Sequence, residues 1–224
     1  MTAAAQRDGI PGGQRYLGRG IYDLAEVARL LRRGRGQIEG WTRSSRNLPP
    51  LLIGRHGEFL SFWDLISLRV VAELIARNVP RSQIAIGAQH LAARLGTDRP
   101  FAHEHLATVG SGFFAAFEGA WEDAGLGGQQ AFSHMVEPLL KPIVFNDDHM
   151  AAVWRPAEGV WVNPAVQAGA PCVDGTRVPT RLVASLARTP DGEGSGHLAD
   201  VCDDYRLTSE QVQQAVDYEQ QLAA

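Results

Sequence analysis

Cysteine is nearly absent: Cys172 and Cys202 are the only two in 224 residues. Two thiols cannot build a disulfide framework, nor by themselves a four-ligand zinc site. No apolar run reaches membrane-spanning length. Residues Met1 to Gly20 lack the charged-then-apolar order of a secretion signal, so a cytoplasmic protein is expected. Repeats and low-complexity tracts are missing too. No stretch pairs a nucleophile with a base: Ser185 has no His near it in sequence, His197 neighbours a glycine-rich loop, and Cys172 lacks an activating His. The turn Asp174-Gly175-Thr176-Arg177 has neither the glycine run nor the lysine of a phosphate loop. These absences argue against an enzyme, and no cofactor is expected.

What is present is an uneven charge. The net charge of −4 hides a basic first half and an acidic second half. Residues 1–100 carry 15 Arg and Lys against 8 Asp and Glu, a net of +7. Residues 101–224 carry 6 against 17, a net of −11. Such asymmetry points to a nucleic-acid or protein partner.

In the basic half, Asp23 can cap a helix and Glu26 sits where a capping box wants a carboxylate, with Leu24, Val27, Ala28 and Leu31 on one face. Arg32-Arg33-Gly34 reads as a turn in which the glycine can take positive φ. A short second helix follows, from Gly36 to about Arg43, with Ile38 and Trp41 inward. Two short helices joined by such a turn form a helix-turn-helix. The apolar runs Leu51-Leu52-Ile53 and Glu58-Phe59-Leu60 flank Gly54-Arg55-His56-Gly57, which reads as a hairpin with a basic tip. Ser61 and Asp64 open a long helix ending near Asn78, and another runs from about Ser82 to Leu95. With its stretches IYDLAEVARLL, GQIEGWTR and LSFWDLISLRVVAELIARNVPRSQI, this order resembles the DNA-binding head of the MerR family over residues 16–95. The resemblance implies operator DNA as a ligand. The side chains placed to touch it are Arg32, Arg33, Arg35, Gln37, Arg43, Arg46, Arg55 and His56.

The middle is expected to hold a second hairpin from Leu106 to Phe117, a helix from Gln129 to Leu140, and two short strands about the turn Asn146-Asp147-Asp148. His103-Glu104-His105 and Asp147-Asp148-His149 carry metal-ligating types. Neither has helical i, i+4 spacing or a third ligand in sequence, so each reads as polar surface with no metal expected.

The acidic half holds NPAVQAGAPCVDGTRVPTRLVASL. Gly175 is expected at positive φ in a tight turn between Val173 and Val178, Pro179 keeps Val178 extended, and Thr180 caps a helix burying Leu182, Val183 and Leu186. A short helix from Leu198 to Tyr205 follows. Thr208 and Gln211 then form the capping box of a last helix with Val212, Ala215, Val216 and Leu222. The turn therefore reads as a brace, with Arg177 expected to tie it to Asp203 or Asp204. Together with LADVCDDYRLTSEQVQQAVDYEQQL, the segment resembles the family known as domain of unknown function 433, with Asn163 where members typically have Asp and a longer spacer after Thr189.

The whole chain resembles the VapB-type antitoxins of bacteria. That resemblance implies an autoregulatory, homodimeric operator-binding protein that neutralises a PIN-domain ribonuclease toxin, with Arg177 as the candidate toxin contact. The alternative is a stand-alone MerR-like regulator that senses a small molecule. The expected architecture is α+β and mainly helical. It has a flexible N-terminus at 1–15, a winged helix-turn-helix head at 16–100, a small β-rich connecting region with a hairpin and a helix at 101–160, and a three-helix, helix-turn-helix-like bundle at 161–224.

Overall fold

The computed structural model describes residues 19–43, 50–52, 59–114, 128–187 and 195–223. Among them the chain is mainly helical, with one small antiparallel sheet. The first helices are α1 (Leu24–Leu31), α2 (Arg35–Thr42), α3 (Phe62–Ala76) and α4 (Arg81–Leu95). Asp23 caps α1 as the sequence predicts, its Oδ1 accepting from the Glu26 N–H at 2.7 Å. The turn between α1 and α2 differs from the expectation. Arg32 takes the left-handed conformation (φ 50°), whereas Gly34 is extended at φ −62° as the N-cap of α2. In that left-handed cap the Arg32 and Arg33 N–H groups reach the last carbonyls of α1, offsetting the strain of a non-glycine there.

The centre is α3, buried nearly all round. Asp64 does double duty at its start. Its Oδ2 accepts from the Ser61 N–H and hydroxyl, both at 2.8 Å, while its Oδ1 accepts from Arg99 Nε at 2.7 Å. Both charges are buried, so each relies on the other for the solvation it has lost.

Residues 106–114 form a helix, α5 (Leu106–Phe114), not a hairpin. Thr108 and Val109 favour strand locally and Gly110-Ser111-Gly112 reads as a turn, but Leu106, Gly110 and Phe114 fall four apart and all are buried. They face α6 (Gly128–Leu140), where a Cβ on Gly110 would crowd the Phe132 ring and the rings of Phe114 and Phe132 stack 5.0 Å apart. Tertiary packing outweighs strand propensity here.

After α6 come β1 (Ile143–Phe145), β2 (Ala151–Ala157), β3 (Val160–Val162) and β4 (Pro171–Val173), an antiparallel meander in chain order. The β1–β2 pair stands where the sequence puts it. The β2–β3 hairpin crosses the junction at 160/161, so one sheet joins the connecting region to the C-terminal segment. The chain ends in α7 (Thr180–Leu186), α8 (Ser195–Tyr205) and α9 (Ser209–Ala223). One apolar core runs from Tyr22 to Val162, and Val173, Val183, Val201, Leu207, Val212 and Ala215 make a second. Leu222, near the end of α9, packs on the first.

Candidate nucleic-acid interface and the bundle behind it

Ile38 and Trp41 are the buried anchors of α2, spaced so that one face turns inward. Arg35, Gly36, Gln37, Gly40 and Arg43 are left exposed. Arg33 and Arg35 make no ion pair or side-chain hydrogen bond among the described residues, so both guanidinium groups are available. Arg43 is paired with Glu39 one turn back, and Arg32 donates to Gln221 Oε1 at 3.1 Å. Gln37 serves as the cap of its own helix, its Oε1 accepting the Gly34 N–H at 3.1 Å. Arg46, Arg55 and His56, with the hairpin tip, lie outside the described residues. Of the two arms expected for that hairpin, Leu51, Leu52, Phe59 and Leu60 are described: Leu60 and Tyr22 exchange backbone hydrogen bonds at 2.8 and 2.9 Å, and the Leu51 N–H donates to the Trp41 carbonyl.

Behind this face the C-terminal segment is locked onto α1. Arg29 bridges Glu26 (2.8 Å) and Glu219 (2.8 Å), and Glu219 also accepts the Thr180 hydroxyl at 2.6 Å. The Tyr22 hydroxyl donates to the Gly169 carbonyl at 2.8 Å, and the Ile21 N–H to the Ala168 carbonyl at 2.9 Å. A cavity of about 420 Å³ lies between the two parts, lined in part by Arg32, Arg33, Arg69, Trp154 and Tyr218. Arg69 stands 4.6 Å over the Trp154 ring, and burial lowers its pKa to about 10.

The Gly175 turn is the brace that the sequence predicts. Gly175 has φ 74°, and the Val173 N–H closes the turn on the Val178 carbonyl. Thr176 Oγ1 donates to the Val173 carbonyl at 2.9 Å and accepts the Val178 N–H at 3.1 Å, while Trp161 Nε1 donates to the Thr176 carbonyl. Burial pushes the Cys172 thiol up to about 11, which leaves it without thiolate character at neutral pH.

Three details of this segment depart from expectation. Thr180 does not cap α7; Pro179 is the N-cap, and the Thr180 hydroxyl turns inward to Pro171 and Glu219. Leu182 and Leu186 are each 38% exposed, because the short helix buries the Thr180, Val183 and Ala184 side instead. Arg177 is exposed and forms no ion pair with Asp203 or Asp204. The Thr208–Gln211 capping box is present as expected.

Nothing in the sequence pointed to Arg29 and Glu219 as partners, since 190 positions separate them. The fold also brings together His103-Glu104-His105 and His149, which in sequence stand as two unrelated polar clusters.

Residues 160–218, covering β3 to most of α9, match the family described as "Protein of unknown function (DUF433)". The chain as a whole is similar to a solved structure, Rv2018 from Mycobacterium tuberculosis. The two share 23% identity with a TM-score of 0.65, over 90% of this chain and 99% of that one. That likeness is one of fold. Among curated proteins the chain has no match. No helix among the described residues is long and apolar enough to cross a membrane.

Proposed function

We propose that the protein is a non-enzymatic, homodimeric antitoxin that binds its own operator DNA and neutralises a PIN-domain ribonuclease toxin. The observation that carries this reading is the exposed arginine face of the α1–α2 pair. Arg33 and Arg35 are unpaired, and Arg32 and Arg43 stand beside them. Guanidinium groups on a short helix anchored by Ile38 and Trp41 suit phosphate contact and a groove-facing helix. One such head offers few contacts, and a two-fold dimer reading an inverted repeat doubles them.

The acidic remainder would repel a second phosphate backbone and suits a protein. On that remainder Arg177, ahead of α7, and Leu182 and Leu186, on α7, are exposed. A PIN-domain active site is a cluster of acidic metal ligands, to which a guanidinium is attracted. Co-expression with the product of the adjacent gene, followed by a pull-down and a gel shift on the upstream DNA, tests both halves. Absence of a co-purifying nuclease together with intact DNA binding would overturn the antitoxin reading.

The cavity between the head and α9 favours a second reading, a transcription regulator that senses a small molecule. It lies behind Arg32 and Arg33, so an occupant there could shift the DNA-facing turn. The same pull-down separates the two.

A further inference from the structure

His103-Glu104-His105 and His149 are used by neither the DNA face nor the toxin segment. Their backbones are fastened to one another. The Glu104 N–H donates to the His149 carbonyl at 2.8 Å, and His103 pairs with Met150 in an antiparallel bridge. The turn that carries His149 is closed from within: Asn146 N–H donates to the Met150 carbonyl at 3.0 Å, and Met150 N–H to Asn146 Oδ1 at 2.9 Å. His149 itself has φ 59°, a left-handed turn conformation that His adopts more readily than most non-glycine residues.

Glu104, His105 and His149 each offer one ligand atom, and these atoms lie within 4.8 Å of one another. The His105 and His149 rings are 4.6 Å apart, and His149 Nδ1 is 2.8 Å from Glu104 Oε2. A third imidazole, that of His103, is buried against them, its ring 5.2 Å from His105 and 5.9 Å from His149. Its Nδ1 accepts the His105 N–H at 3.1 Å, which fixes the start of the ligand-bearing segment.

We propose that Glu104, His105 and His149 bind a divalent transition-metal ion of the zinc type, with water completing the coordination. Two imidazoles and a carboxylate match the donor set of zinc sites that keep an open position. Calcium and magnesium are excluded because they demand oxygen ligands, and this set supplies one carboxylate. Tetrahedral zinc places its ligand atoms about 3.3 Å apart. All three side chains are exposed and the backbone is already in place, so rotation of the side chains alone brings the ligand atoms in. An ion there clamps the segment before α5 to the β1–β2 turn, 44 positions further along the chain.

The test is titration of the metal-free, tag-free full chain with Zn²⁺ by calorimetry, and with Co²⁺ by visible absorption. One ion per chain with micromolar or tighter affinity is expected, with a Co²⁺ spectrum of low coordination number. His105→Ala and His149→Asn should each weaken binding about tenfold or more. Asn is chosen because it accepts positive φ, so that the turn survives while the imidazole is lost. His134→Ala, at an exposed position of α6 and outside the cluster, should leave binding unchanged. Undiminished affinity in the His105→Ala/His149→Asn double variant would overturn the proposal. So would binding that is only millimolar in the unaltered protein.

Discussion

Arg29 on α1 and Glu219 on α9 meet at 2.8 Å, and with Thr180 on α7 they form a chain of polar contacts running from the helix pair into the C-terminal bundle. Only 8% of Glu219 is exposed, so its carboxylate has exchanged water for these two partners. Burial alone would lower the Arg29 pKa, but Glu26 and Glu219 outweigh it, and the net shift is upward. These contacts tie the stability of the C-terminal segment to that of α1, a link that removing the Glu219 carboxylate tests.

Glu219→Ala removes the acceptor of both partners. Arg29 keeps Glu26, and Thr180 keeps the Pro171 carbonyl at 3.3 Å, so the loss is partial. A destabilisation of about 2 kcal/mol is expected, lowering Tm by about 4–8 °C. Limited proteolysis should show the segment after β4 cut sooner. An unchanged Tm and cutting pattern would mean that the two parts are held by apolar contact alone.

Two glycines separate conformational cost from steric cost. Gly175 has φ 74° with open space where a side chain would go, so Gly175→Val carries a backbone penalty of about 1–2 kcal/mol. At Gly169, φ is 90° and a Cβ would run into the Tyr22 hydroxyl, which donates to that residue's own carbonyl. Gly169→Ala should therefore cost more than Gly175→Val, although it adds the smaller side chain. Urea denaturation of the two variants checks the order.

Most helices were legible because their start signals are local. Asp23, the Ser61–Asp64 pair and the Thr208–Gln211 pair all cap where the sequence places them. The structure replaces the hairpin expected at 106–117 with a helix over its described part, because the β-branched Thr108 and Val109 and the turn-like Gly110-Ser111-Gly112 conceal a spacing of four among Leu106, Gly110 and Phe114, and only the Phe132 ring opposite gives that spacing meaning. On α7 the inward side was misread because Thr180, a polar residue, is buried to meet Glu219, displacing Leu182 and Leu186 outward. The arginine face of α2 could be read from Ile38 and Trp41. The histidine cluster could not, since it depends on the β1–β2 turn folding back onto residues 103–105.

The arginines of the candidate DNA face should differ in their salt signatures. Arg33 and Arg35 carry no internal partner, so each phosphate contact they make releases a counterion. Replacing either with Ala should reduce the log K against log salt slope by about 0.9. Arg43 must first exchange its Glu39 partner, and Arg43→Ala should alter the slope by less. Gel shifts at several salt concentrations read this directly. Equal slopes for Arg33→Ala, Arg35→Ala and the unaltered protein would remove this face from the interface.

Arg177 offers the sharpest division between a brace and a contact. The turn holding it is closed by the Thr176 hydroxyl and by the Val173–Val178 backbone pair, neither of which needs the guanidinium. Gln167 Nε2 binds the Arg177 carbonyl, which any side chain at that position retains. Arg177→Ala should thus leave Tm within about 2 °C of the parent, as expected for an exposed substitution. DNA binding should also persist, because the residue belongs to the acidic half. If the segment meets the toxin, neutralisation should weaken, and adding Leu182→Asp should abolish it by placing a carboxylate against an acidic active site. Toxin-dependent growth arrest, scored beside Tm and gel shift for the same variants, gives the answer. Full rescue of growth by the double variant would exclude this segment as the toxin contact.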